Sequence, residues 1–387
     1  MRSSNRFLAS LPRRGRVLYS GMLLRVGKAL FLFSLILIGT VYSAQNISGM
    51  FHTANGASQA FDYVTVILME NNGLCDIITN ALGGCSGGGS APYMTSLADN
   101  YSTATHYTAI THPSEPNYIT LAGGDTYVSG DGNCCWQISN PNIIDRIEAS
   151  GRTWKAFAED ATGSGTCSFT PPRVADHFPF MEFSDMNSAS RCVNFQATTS
   201  PTDQEFLNVL NSPNPPNFLW LTPNDADNMH GGSVSTGDNY LANLVPKILN
   251  SSTFTTEKAA LFVVFDEGSD NCSLPPSSQD CVYATWAGPV VKKTYTSNTS
   301  YDHYSFLKTL ETVWNLPSFT SNDKNSAPMT EFFQGGAAST GPSSSSSSGL
   351  SLGYWTWIPI PLGTLVILSL AVVLIVRSRN DDIDEES

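Results

Sequence analysis

Tyr63-Val64-Thr65-Val66-Ile67-Leu68-Met69 runs without a break into Glu70-Asn71-Asn72. A short apolar, β-branched run closed by polar residues reads as a strand buried on both faces. Two further runs repeat the pattern. Phe218-Leu219-Trp220-Leu221 passes into Thr222-Pro223-Asn224-Asp225-Ala226-Asp227-Asn228-Met229-His230, and Leu261-Phe262-Val263-Val264-Phe265 passes into Asp266-Glu267-Gly268. Residues 154–158 form a weaker fourth run. Helical periodicities lie between them at residues 143–149, 205–210, 239–249 and 304–314, with Asp238 placed to cap the third and Asn250 to end it. Strands alternating with helices predict an α/β domain with a largely parallel sheet. In open sheets of this kind ligands bind beyond the carboxyl ends of the strands. Here those ends carry Glu70, Asp225, Asp227, Asp266 and Glu267. Carboxylates gathered at one sheet edge repel one another unless a cation or a solvated gap separates them. The pattern therefore points to a hard divalent cation.

A second stretch, Thr111-His112-Pro113-Ser114-Glu115-Pro116-Asn117-Tyr118, sets a serine between two prolines. The prolines hold the backbone around Ser114, and Pro116 suits the first turn of a helix running on to Leu121. A hydroxyl at a helix N-terminus faces free N–H groups, where a phosphate binds well. Of the six histidines, His106, His112, His230 and His303 lie in polar-rich segments, whereas His52 and His177 have no such context. Gly84-Cys85-Ser86-Gly87-Gly88 matches a nucleophile-elbow pattern but lies in a Gly/Ser-rich loop, without the strand and helix that motif requires.

The flanks read differently from the middle. Residues 1–44 combine seven Lys and Arg, no acid, an apolar run over 29–38 and a small-residue stretch, as in a signal peptide or signal anchor. Residues 335–353 are a Gly/Ser-rich linker. Residues 354–376 carry no charge and are long enough for one C-terminal transmembrane helix, with Tyr354, Trp355 and Trp357 at one end and Arg377 and Arg379 beyond the other. That orientation leaves 377–387 as an acidic cytoplasmic tail and places residues 45–334 outside, on the extracytoplasmic face of a cell membrane. The segment 45–335 holds 11 Lys and Arg against 28 Asp and Glu, a formal charge of −17, so nucleic acid is not expected as a partner. All eight cysteines fall within it, and an even count in an exported chain implies disulfides, with Cys75–Cys85, Cys167–Cys192 and Cys272–Cys281 as the local pairs. Sequons at Asn46, Asn100, Asn250, Asn271 and Asn298 suit a glycoprotein surface.

Taken in order, Met69-Glu70-Asn71, His112-Pro113-Ser114-Glu115-Pro116-Asn117-Tyr118, Pro223-Asn224 with Met229-His230, Phe265-Asp266-Glu267-Gly268 and Tyr301-Asp302-His303-Tyr304-Ser305 resemble the phosphoesterase family of acid phosphatases and phospholipase C-type enzymes, within the alkaline phosphatase superfamily. The resemblance covers residues 61–318. It implies a doubly wound α/β/α sandwich and a hydrolase acting on phosphate esters. By position, Ser114 would be the nucleophile, and Glu70, Asn71, Asp266 and Glu267 would be ligands of a divalent metal such as Mg, Ca, Mn or Zn. Asp227, His230 and His303 match the region holding a second metal in two-metal relatives. Asn117 would orient the phosphate, and His112 or His303 would protonate the leaving oxygen. The chain departs from the family pattern at Asn72, at Asp227-Asn228, which leaves Asp225 or Asp227 as the contributing carboxylate, and at Glu115, whose charge stands next to the nucleophile.

Overall fold

The computed structural model describes residues 59–173, 177–268 and 280–335. Its strands are β1 (Tyr63–Met69), β2 (Ser102–Ala104), β3 (Tyr107–Thr108), β4 (Trp154–Glu159), β5 (Phe195–Thr198), β6 (Phe218–Thr222), β7 (Ala259–Phe265), β8 (Ala284–Ala287), β9 (Tyr295–Ser297) and β10 (Tyr301–Asp302). Eight of them form one sheet in the order β5-β4-β6-β1-β7-β8-β2-β9. β1 runs parallel to β6 and β7 on either side, and β4 runs parallel to β5 and β6. β8 is the antiparallel member, against both β7 and β2. β3 and β10 pair separately, Tyr301 with Tyr107 and Asp302 with Thr108.

Every residue of β7, and all of β1 beyond Tyr63, is buried, as expected for a sheet covered on both faces. The longer helices are α1 (Pro92–Asn100), α2 (Ser114–Gly123), α3 (Ile143–Ala149), α4 (Gln204–Leu210), α5 (Val234–Leu249) and α6 (His303–Trp314). They fall into two packed groups, α1 and α4 with α5, and α3 and α6 with α2. The domain is an α/β sandwich with a largely parallel sheet. Aromatic stacking fills the core beside β7, where Phe262 lies against Trp286 at 4.3 Å and against Phe306 of α6 at 5.3 Å between ring centroids.

The apolar runs place the four predicted strands within two residues at each end. The helix expected from residue 239 begins instead at Val234, because Ser233 caps it by accepting from Thr236 N. Asp238 has a different partner. Its carboxylate accepts from Tyr93 N at 3.1 Å and Met94 N at 2.8 Å, so it caps the neighbouring helix α1, whose Pro92 leaves no N–H to satisfy. Cys75–Cys85 and Cys167–Cys192 form the expected disulfides, and Cys134 pairs with its neighbour Cys135. Cys281 is disulfide-bonded, and its expected partner Cys272 lies outside the described residues. The signal segment, the linker and the spanning segment 354–376 lie outside them too; among the described residues no helix is long and apolar enough to cross a membrane.

Asp227 is placed away from the carboxylates it was expected to join. It accepts from Ser200 Oγ at 2.7 Å and belongs with Glu159 and Asp203, both fully buried. Glu159 accepts from Asn224 N at 2.8 Å and Asp203 from Tyr240 Oη at 2.8 Å. Burial, then the charge of Asp203, pushes Glu159 up to about 10, while burial raises Asp203 to about 6. One proton shared by this pair removes the repulsion of two buried anions. Since the folded value lies above the ordinary one, the pair is most favourable below the usual carboxylate range and loses stability as pH rises towards about 10. Glu159→Gln, which is neutral without a proton, is expected to raise the thermal midpoint at pH 8 by roughly 3–8 °C and at pH 4.5 by much less. Equal shifts at the two pH values would exclude proton sharing.

Candidate active site

The register that pairs Met69 of β1 with Phe265 of β7 brings the next residues of each strand, Glu70 and Asp266, side by side at the carboxyl edge. Asp266 N donates to Met69 O at 3.1 Å, extending the ladder by one step. Asn71 then takes a left-handed conformation, φ 53°, which asparagine tolerates. Its N–H reaches Asp266 Oδ1 at 3.1 Å and its amide reaches Glu70 Oε2 at 3.0 Å. After β7 the chain passes so close to Gly73 that a Cβ on Gly268 would stand 2.7 Å from Gly73 Cα. Only glycine fits there, and Gly268 N donates to Asp280 Oδ2 at 2.6 Å.

Ser114 is the first residue of α2 and is almost fully buried. Its Oγ lies 3.2 Å from Glu70 Oε2 and 3.2 Å from Glu267 Oε1. Burial, then the charge of Asp266, holds Glu70 well above the usual carboxylate range. Burial and the charge of Glu267 push Asp266 up to about 7; burial, with Asp131 and Asp280 adding to it, pushes Glu267 up to about 7. Asp266 Oδ2 is buried without a hydrogen bond, and buried Glu70 Oε1 has only His177 Nε2 facing it, at 3.1 Å and out of hydrogen-bond alignment. Mutually repelling carboxyls around one hydroxyl, with orphaned oxygens among them, fit a cation bound by oxygen ligands.

Sequence reasoning passed over His177. It is 2% exposed, it stacks on Tyr118 with ring centroids 5.3 Å apart, and its Nε2 faces Glu70 Oε1 at 3.1 Å. Burial, with His230 and Arg173 nearby, keeps it neutral by lowering it to about 3. The ring of His230 lies 5.1 Å from that of His177. Glu70, His177 and His230 each turn one ligand atom to within 4.8 Å of the others. Arg173, also unforeseen, donates from Nε to Asp225 Oδ2 at 2.8 Å. The carboxylate that the loop after β6 contributes here is therefore Asp225 and not Asp227. No strand end or motif precedes Arg173 and His177, so only the folded chain shows where they lie.

His112 stands at the mouth, its side chain 57% exposed, with Nδ1 2.8 Å from Glu267 Oε2 and Nε2 3.2 Å from Asp280 Oδ2. Asn117 is committed to its own loop: Oδ1 accepts from Ile110 N and Thr111 N, and Nδ2 donates to Thr111 O at 2.7 Å. The same amide reaches Glu267 Oε2 at 3.4 Å, so Asn117 ties the serine loop to the carboxylate pair. His303 has both ring nitrogens engaged by neighbouring groups. It is wholly buried, its Nε2 lies 2.6 Å from Asp266 O and its Nδ1 3.2 Å from Tyr107 Oη. It braces the turn after β7 from the start of α6, while Asp302 supplies the helix cap. Glu115 turns away from the serine, buried and accepting from Asn133 N at 3.0 Å. Asn72 donates to Glu70 O at 2.8 Å.

A buried serine at a helix start thus lies among strand-end carboxyls with imidazoles beside them. The phosphoesterase family model matches residues 87–317, and the chain belongs to the phosphoesterase family. It is a phosphoric ester hydrolase. It is similar to a phosphatidylinositol-3-phosphatase of Mycobacterium tuberculosis, 29% identical over 83% of this chain and 99% of that one. It is also similar to a probable acid phosphatase of Kluyveromyces lactis, 26% identical over 59% of this chain and 54% of that one. A phosphate-repressible acid phosphatase of Penicillium chrysogenum is 28% identical over 58% of this chain and 55% of that one. The chain thus spans about half the length of these fungal relatives. Among solved structures, a phosphonate monoester hydrolase of Agrobacterium radiobacter aligns with a TM-score of 0.47 at 12% identity, over 71% of this chain and 78% of that one. An alkaline phosphatase superfamily protein of Vibrio parahaemolyticus aligns at 0.46 and 13%, over 68% of each chain.

Proposed function

We propose that the protein is a membrane-anchored, extracytoplasmic phosphatase that hydrolyses phosphomonoesters through a phosphoserine at Ser114. The observation that carries this reading is the approach of two carboxyl groups, Glu70 and Glu267, to Ser114 Oγ at 3.2 Å each. Glu70, Asn71, Asp266 and Glu267 would hold the divalent cation. A bound cation would lower the pKa of the hydroxyl and offset charge on the phosphoryl oxygens.

The chain's own groups account for the protons. Ser114 Oγ attacks phosphorus, its hydroxyl proton passes to Glu267, and the bond from phosphorus to the leaving oxygen breaks. Protonated His112 at the mouth supplies the leaving alcohol with its proton. Glu267 keeps the serine's proton, and His112, 2.8 Å from it, is left neutral. In the second half a water attacks the phosphoserine, neutral His112 accepts its proton, and Glu267 returns the stored proton to Ser114 Oγ as the bond from phosphorus to Oγ breaks, which restores both groups. The preference for monoesters is supported by the relatives, which are named as phosphatases. Membrane anchorage and an outside location rest on the uncharged run at 354–376 and the basic start of the chain.

The test is turnover of a chromogenic phosphomonoester and the matching bis-ester by the full chain in detergent, with chelator and after adding back Mg, Mn, Ca or Zn. Monoester turnover at least about tenfold above diester, abolished by chelator and restored by one of the ions, is the expected result. Faster turnover of the bis-ester would replace this reading with a phospholipase C-type diesterase. No turnover of either ester would point to a surface glycoprotein that keeps the fold without the activity.

A further inference from the structure

Arg173 bears on a question the site leaves open: whether His230 is a ligand or a donor. Its NH2 lies 3.3 Å from His230 Nδ1, and its Nε is bound to Asp225 Oδ2 at 2.8 Å. A guanidinium has no acceptor and stays charged, so the contact has one polarity: Arg173 donates and Nδ1 accepts. A neutral imidazole whose Nδ1 accepts carries its proton on Nε2. His230 N is in turn fixed by Asn228 Oδ1 at 2.8 Å, so ring and backbone are both held.

We propose that Arg173, oriented by Asp225, is a positioning residue that fixes His230 as the Nε2–H tautomer, making it a hydrogen-bond donor to the phosphoryl group and not a ligand of a second metal. The inference rests on the phosphatase reading for its consequence, though the tautomer stands independently of it. The geometry gives two reasons why the second cation is excluded. Metal coordination needs a ring nitrogen without a proton, and Arg173 occupies the one that His230 has. The fixed positive charge of the guanidinium also stands beside the group formed by Glu70, His177 and His230, where a second divalent ion would have to sit. Asp225 matters because it receives Nε, which aims the fork at the imidazole. A lysine has a single head and cannot bind both partners in the same planar geometry.

The experiment uses the full chain, labelled with nitrogen-15 in histidine, with His230 assigned from its missing signals in His230→Gln. The expected spectrum has an unprotonated Nδ1 and a protonated Nε2, together with a metal content near one ion per chain. Arg173→Met is expected to mix the two tautomers and to lower kcat about 100-fold while KM changes less than about threefold. Arg173→Lys is expected to recover no more than about a tenth of the lost rate. A protonated Nδ1 in the wild type, or a spectrum unchanged in Arg173→Met, would overturn the proposal. Two ions per wild-type chain would overturn the exclusion of the second metal. The expected tautomer in a chain that turns over no ester would leave the proposed tautomer intact and remove the phosphatase reading instead.

Discussion

Ser114→Ala is expected to lower kcat for a phosphomonoester by about 10,000-fold or more, with little change in thermal midpoint. The size follows from what is lost. Without Oγ no covalent intermediate forms, and a water in its place would lack the positioning that the start of α2 supplies. The fold should tolerate the change, since the hydroxyl's partners are carboxyl groups, Glu70, Glu267 and Asp266, that already repel one another. Acid quench of the wild type during turnover should leave one phosphoryl group on the peptide carrying Ser114 and none in the alanine variant. Turnover at the wild-type rate by Ser114→Ala would remove the serine from the chemistry altogether.

Asp266→Asn should show a second large effect, with opposite signs for activity and stability. Loss of one anionic ligand should reduce kcat/KM by about 1,000-fold. Without metal, the same substitution should stabilise the chain at pH 8 by about 1–2 kcal/mol, because a buried group that resists ionisation is replaced by a neutral one of the same shape. The sign follows from the direction of the shift. Burial and Glu267 push Asp266 up to about 7, above its ordinary value. The metal-free wild type should therefore be most stable below about pH 4 and lose stability as pH rises through 7, whereas the asparagine variant should show a flatter profile. A divalent cation should reverse the order, since it stabilises the form that binds it more tightly. Thermal unfolding of both chains at several pH values, with chelator and with metal, measures each part. A metal-free wild type more stable than the variant at pH 8 would mean that the carboxyls do not repel one another.

The strands that build the site were legible because continuous apolar runs of this length have few other uses in a parallel sheet. Glu70, Asp266 and Glu267 could be read because each directly follows such a run, so register alone sets the first two together. Ser114 could be read from its prolines and its helix. Short strands such as β3 and β10 carry no periodicity and exist only through their partners. The same holds for Arg173 and His177, placed by Asp225 and by stacking on Tyr118 respectively. His303 could be placed at a helix start, but its contacts with Asp266 O and Tyr107 Oη could not be read, because sequence does not show which way a helix-start imidazole points. Asp225 and Asp227 are two residues apart and look equivalent in the chain; the turn sends one to Arg173 and the other to Ser200.

The position of β1 also governs when the site comes into existence. The strand is made early, at residues 63–69, yet its two neighbours in the sheet are residues 218–222 and 259–265. Contacts this distant in sequence close slowly, and they cannot close at all before the later strands have been synthesised. Glu70 therefore has no partner carboxyl, and Ser114 no second acceptor, until the ribosome has passed residue 267. The middle of the sheet, and with it the site, is complete only once the last of these strands is in place.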